Sequence, residues 1–200
     1  MNKIREKADL IREYRCKNLI AVIEDPKTPK NLGTVLRNVN ALGVEKAYVV
    51  DSSNSIPDNW EDIREWNPLL KSSASAVKWT FVKKFSSTVD CIAHLNENKF
   101  ISAVTSPHIQ GKENVDLSDG DYTQKRLAVW FGNETRGVSD EAIEHSEFCI
   151  NIPMYGIIES LNLGTSSGIV LYEVTRQRRK FVENKYGIDL SDSPNKATRE

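Results

Sequence analysis

The chain has 200 residues, 39% hydrophobic and 28% charged, with a formal net charge of −1. These values suit a soluble globular protein of one large or two small domains, and they exclude a molecule that attracts polyanions by overall charge, so any nucleic-acid contact must come from local patches. A charged run follows Met1, no stretch is apolar enough for a bilayer, and three cysteines without a CxxC pair argue against a disulfide framework or a metal site, which makes a reducing cytoplasm the expected setting.

In chain order, residues 2–15 read as a packing helix with Ile4, Ala8, Ile11 and Tyr14 near one face. Residues 19–23 form a continuous apolar run suited to a parallel strand covered on both faces. A polar turn over 24–30 contains Pro26 and Pro29. The spacing of Leu32, Val35, Leu36, Val39 and Leu42 then predicts a helix over 31–42, stopped at Gly43. Residues 46–51 complete a β-α-β unit.

Residues 54–66, with Trp60 and Trp66, have no clear pattern. A short helix is expected to start within 72–76, a strand over 79–82, a helix over 86–96 and a strand over 99–104. Residues 114–124 read as an acidic loop. The most strand-like run is 127–131, followed by a polar turn over 132–137. Ser139 is a candidate cap for a short helix to 144. Residues 148–152 give the last strand and 168–182 the closing helix. Residues 191–200 read as a disordered tail, leaving a single domain over 1–190 with its N-terminal helix. The alternation of strands and helices argues for a mostly parallel α/β sheet flanked by helices. Ligands in such sheets bind beyond the carboxyl ends of the strands.

Three segments place functional-looking residues just after a strand: 31–37, 132–137 and 152–162. The last leads into Gly164, Thr165, Ser166, Ser167 and Gly168, small residues that let a backbone or a ligand approach closely. A tightly packed helix start is the plainer reading of that run. No GxGxxG follows a strand, and neither GxxxxGK[ST] nor GxSxG occurs.

What the chain does contain resembles the SpoU (TrmH) family of SPOUT RNA 2′-O-ribose methyltransferases. Asn31, Gly33 and Arg37 match the family's N-x-G-x-x-x-R. Residues 131–137 match F-G-x-E-x-x-G, with Glu134 as the acid. Ile152, Pro153 and Met154, followed by Ser160, Leu161 and Asn162, match I-P-M…S-L-N. The three motifs occur in the family's order across about residues 19–180. After Asn162, Leu-Gly-Thr-Ser-Ser replaces the usual Val-Ser-x-A-x; the residues stay small.

The resemblance implies a C-terminal deep trefoil knot, S-adenosyl-L-methionine bound in it, and a homodimer with its active site near the subunit interface. It places Thr105, Gly132, Ile152, Ser160 and Leu161 at the cofactor. Arg37, Asn31, Glu134 and Asn162 become the catalytic set, with the Arg37 guanidinium meeting the Gly132 and Leu161 turns directly or across a partner subunit. A guanidinium stays protonated at any working pH, so Arg37 is expected to grip a phosphate and stabilise a forming alkoxide rather than act as a simple base. Glu134 would accept from Asn31 or Arg37, and Asn31 could also cap its helix. Arg37, Lys30 and Arg136, with Lys27 and the basic run 176–180, are the candidate RNA contacts. The apolar residues Ile169, Val170, Tyr172 and Val174 could serve either the core or a dimer. Transfer RNA is the expected substrate, at a D-loop guanosine or an anticodon wobble nucleotide. Ribosomal RNA, a non-catalytic RNA-binding or assembly role, and an unrelated enzyme acting on a mononucleotide are the alternatives.

Overall fold

The computed structural model describes residues 6, 9, 11–108 and 113–190. Half of the expected N-terminal helix over 2–15 and all of the expected tail over 191–200 lie outside them. The described part of 2–15 ends in a single 3-10 turn, Arg12–Tyr14.

Among the described residues, seven parallel strands form one sheet: β1 (Cys16–Glu24), β2 (Val44–Val50), β3 (Phe81–Phe85), β4 (Ile101–Thr105), β5 (Asn114–Asp116), β6 (Leu127–Phe131) and β7 (Phe148–Asn151). Their order across the sheet is β3-β2-β1-β6-β4-β7-β5. β6 lies between β1 and β4, with Ala21 and Ala103 both opposite Val129. All five of its residues are buried, as expected of a strand covered on both faces.

Alternation along the strands feeds two layers. Leu19, Ala21 and Ile23 of β1 pack with Val129 and Phe131 under α1 (Pro29–Ala41) and α6 (Leu163–Tyr186). Ile20 and Val22 pack with Ala128 and Trp130 on the other face, under α4 (Thr88–Glu97) and α5 (Asp140–Glu144). Between β2 and β3 run α2 (Trp60–Glu65) and α3 (Asn67–Ser72).

Several boundaries differ from the sequence reading. α1 starts two residues early, because Thr28 caps it by accepting from Asn31 N at 3.2 Å and Pro29 occupies the first helical position. The unplaced 54–66 contains α2, capped by Asn59. The short helix expected within 72–76 is instead the end of α3, and 76–79 is a 3-10 turn. The strand expected at 79–82 is β3, over Phe81–Phe85. The acidic loop contains β5, an edge strand held by β7 alone. Ser139 caps α5 as expected.

The largest difference is α6, which begins at Leu163 rather than 168. Its small residues lie within the helix, against α1. A Cβ on Gly164 would come within 2.4 Å of Thr34 Cγ2, and one on Gly168 within 3.3 Å of Asn38 Nδ2. Asn38 donates to Gly164 O at 2.7 Å and to Ser167 Oγ at 3.1 Å. The run of small residues is thus mainly a helix–helix contact rather than a ligand slot; of residues 164–168, Ser166 alone lines the cavity described next.

Candidate active site

Beyond the carboxyl ends of β4, β6 and β7 lies a cavity of about 510 Å³. Its apolar side includes Ile150, Ile152, Leu161 and Val170, and its polar side Thr105, Ser106, Asn133, Ser160 and Asn162. That size and mixture fit a nucleoside-sized ligand. All five expected cofactor residues, Thr105, Gly132, Ile152, Ser160 and Leu161, line it. Thr105 Oγ1 donates to Trp130 O at 2.8 Å, which fixes the β4 end against β6.

The turn after β6 closes tightly on itself. Asn133 N donates to Gly137 O at 2.9 Å, and Gly137 N returns to Asn133 O at 2.8 Å. Gly137 has a φ of +74°, which favours glycine. A Cβ on Gly132 would lie 2.2 Å from the Gly137 carbonyl carbon. Asn133 is the organiser here: Oδ1 accepts from Thr135 N at 2.9 Å and Arg136 N at 3.1 Å, while Nδ2 donates to Asp25 O at 2.6 Å. Sequence reasoning treated Asn133 as a variable motif position; the turn preference of asparagine was the available signal.

Glu134 joins the first two motifs. It accepts from the Asn31 side-chain amide and, at 2.9 Å, from Lys27 N. Lys27 Nζ donates to Thr135 Oγ1 at 3.5 Å. Asn31 is therefore not the cap of α1; Thr28 is, and this frees the Asn31 side chain for Glu134. Buried Glu24 anchors the far end of the turn by accepting from Ser139 N at 2.8 Å, Ser139 Oγ at 2.6 Å and Thr88 Oγ1. It was missed because a carboxylate at a strand end usually reads as exposed.

Asn162 lines the cavity and caps α6, its Oδ1 accepting from Gly164 N at 2.9 Å. Its Nδ2 has no partner among the described residues.

Arg37 departs from expectation within the single chain. It is exposed, lies outside the residues lining the cavity and has no hydrogen-bond or ion-pair partner among the described residues. Lys30 sits seven residues earlier and is also exposed, so the two cations share one stripe of α1. That stripe flanks Thr34, which touches α6. Arg136 lines the cavity, but its Nη2 pairs with Asp25 Oδ2 at 3.2 Å, which offsets its charge.

The basic run on α6 is not a free phosphate-binding cluster. Arg178 is only 9% exposed and donates to Tyr122 O at 3.0 Å, Gln124 O at 2.6 Å and Lys17 O at 3.5 Å. Burial lowers its pKa, with Cys16 opposing that shift. Arg179 donates to Leu42 O and to Tyr14 O at 3.4 Å, and Arg176 pairs with Glu173 at 2.7 Å. Two of these side chains satisfy carbonyls left by loops and a helix end, a need invisible in sequence.

Comparison with known proteins gives three results. The SpoU rRNA Methylase family matches residues 18–172. The tRNA (guanosine(18)-2′-O)-methyltransferase of Thermus thermophilus is 30% identical over 176 residues, 88% of this chain and 84% of its own. The crystal structure of the A. aeolicus TrmH/SpoU tRNA modifying enzyme aligns with a TM-score of 0.73 at 27% identity, over 97% of this chain and 93% of that one.

Proposed function

Because the chain belongs to the SpoU rRNA methylase family, we propose that it is an S-adenosylmethionine-dependent ribose 2′-O-methyltransferase acting on transfer RNA. The observation that carries this reading is the cavity itself. It gathers residues of the second and third motifs and, through Glu134, is tied to the first. The T. thermophilus relative's name points to guanosine 18, in the D-loop, ahead of a wobble nucleotide.

The bound cofactor supplies an electrophilic methyl group. The chain must hold it, exclude water and present the ribose. Ile150, Ile152, Leu161 and Val170 supply the apolar wall, and the backbone around Gly132 approaches closely because no Cβ intervenes. A 2′-hydroxyl is a weak nucleophile until its proton leaves or its anion is stabilised. Arg37, permanently charged, grips the neighbouring phosphate and stabilises the oxyanion. The free Nδ2 of Asn162 orients the ribose, and Glu134 holds Asn31 in place. Lys27 and Lys30 meet the RNA backbone.

On this reading the C-terminal part forms the deep trefoil knot expected of the family. In support, residues 152–162 carry the chain from β7 back across β4 and β6 to α6, which packs on α1 and β1. The working form is a homodimer in which Arg37 serves its partner's cavity. In support, Tyr155 and Ile157 are 98% and 99% exposed, and Ile169 and Tyr172 of α6, the helix that packs on α1, are also exposed. Val170 and Val174 are buried and belong to the core. One methyltransferase domain spans residues 1–190, in keeping with the single sheet. We place the protein in the cytoplasm, in keeping with three buried free thiols.

The test is methylation of total RNA from a strain lacking the gene, using labelled cofactor and mapping of the product. Label at guanosine 18 of transfer RNA supports the reading. Label in ribosomal RNA, or none in any RNA, overturns it.

A further inference from the structure

Besides His108, the titratable side chains lining the cavity are Glu134, Arg136 and Glu159. Two of them are already engaged. Glu134 is bound by Asn31 and Lys27, and Arg136 pairs with Asp25. Glu159 has no hydrogen-bond or ion-pair partner among the described residues. It sits on the 152–162 segment between the exposed Ile158 and the cavity residues Ser160 and Leu161. Arg136 is offset by Asp25, and Lys27 Nζ reaches only the Thr135 hydroxyl, so Glu159 is a cavity carboxylate with no cation paired to it among the described residues.

A carboxylate with no partner favours a cation placed close to it. We propose that Glu159 is a specificity residue that tells the charged methyl donor from its neutral product, so that the spent cofactor leaves. The inference rests on the methyltransferase reading above. During transfer the methyl carbon–sulfur bond breaks and a carbon–oxygen bond forms at the ribose, with loss of the hydroxyl proton. The bonding pair stays on sulfur, so a sulfonium becomes an uncharged thioether. S-adenosylmethionine carries one more positive charge than S-adenosylhomocysteine, and the difference is at that sulfur. A nearby carboxylate attracts the first and is indifferent to the second. The site is open to water, so the effect is modest and screened by salt.

The test is calorimetric titration of the full-length protein with S-adenosylmethionine, S-adenosylhomocysteine and sinefungin, whose protonated amine replaces the sulfonium. Wild type is compared with Glu159→Gln and Glu159→Asp, with thermal melts to establish folding. In Glu159→Gln the preference for the two charged ligands over the thioether should fall about fivefold, equivalent to about 1 kcal/mol. Glu159→Asp should restore part of it, and added salt should weaken the preference in wild type alone. An unchanged ratio in a folded Glu159→Gln protein overturns the assignment. Wild type that binds none of the three overturns the methyltransferase reading itself, and this inference with it.

Discussion

Asn31 and Glu134 lie 103 residues apart, yet the amide of one donates to the carboxylate of the other. The second carboxylate oxygen accepts from Lys27 N at 2.9 Å, so Glu134 clamps the loop after β1 to the turn after β6. This clamp ties Asn31 of the first motif directly to a residue lining the cavity, beside the contacts that Asn133 and Arg136 make to Asp25.

Removing it should cost more activity than stability. Glu134→Ala leaves two partially exposed donors to water, a loss of about 1 kcal/mol in chemical denaturation. Single-turnover methylation should fall about 100-fold, because the misplaced loop carries Lys27 and Lys30. A variant with near-normal single-turnover rate would show that the clamp is only structural.

Arg37 acting across the dimer has a distinctive signature. Arg37→Ala and Asn162→Ala homodimers should each be nearly inactive. Random mixing should restore about one quarter of wild-type turnover, since half the dimers are mixed and each carries one intact site. No recovery after verified subunit exchange would place Arg37 at its own cavity, or outside the chemistry.

Gly132→Ala should lower stability by about 1–3 kcal/mol and abolish cofactor binding. The new methyl meets the backbone at Gly137 and Val138 within 2.4 Å, and backbone cannot swing away as a flexible side chain can. Thermal melting read together with calorimetry checks both effects.

Arg178→Ala should destabilise the fold by about 3 kcal/mol or more, leaving carbonyls of residues 122 and 124 without their donor. Its effect on RNA affinity, measured on the protein that remains folded, should be small. A large affinity loss with unchanged stability would return this arginine to the RNA interface.

Asp51 gives a pH signature. Desolvation pushes its pKa up, but hydrogen bonds from the backbone at Ile56 and Ser55 and from the Ser53 and Ser55 side chains outweigh it, and the net shift is down. Lys84 lies 3.3 Å from the same carboxylate. Because the folded pKa is below the unfolded value of about 3.9, the stabilisation is fully present above that value. It is lost as pH falls through the depressed one. Asp51→Asn should therefore lower the melting temperature at pH 7 and narrow the gap to wild type in strong acid. A gap constant with pH would contradict this assignment.

Much of the sheet was legible because its signals are local. The apolar stripe of α1, the unbroken run of β6 and the cap at Ser139 each act within a few residues. β5 was not legible, since a three-residue polar edge strand exists only because β7 offers it partners. The start of α6 was hidden for a related reason. Glycine and serine weaken an isolated helix, and it is Thr34 and Asn38 of α1 that make 164–168 helical.

The sequence by itself determined the parallel α/β class and the order of the three motifs, and its family resemblance named Thr105, Gly132, Ile152, Ser160 and Leu161, which all line the cavity. The tertiary structure decided which charges are free to act. Arg178 and Arg179 look like an RNA-binding patch in one dimension, yet they are spent on backbone carbonyls; Arg37, expected as the catalytic cation, has no partner among the described residues. Composition places a cation in the chain, but whether its hydrogen bonds are already taken depends on backbone groups that only folding brings within reach.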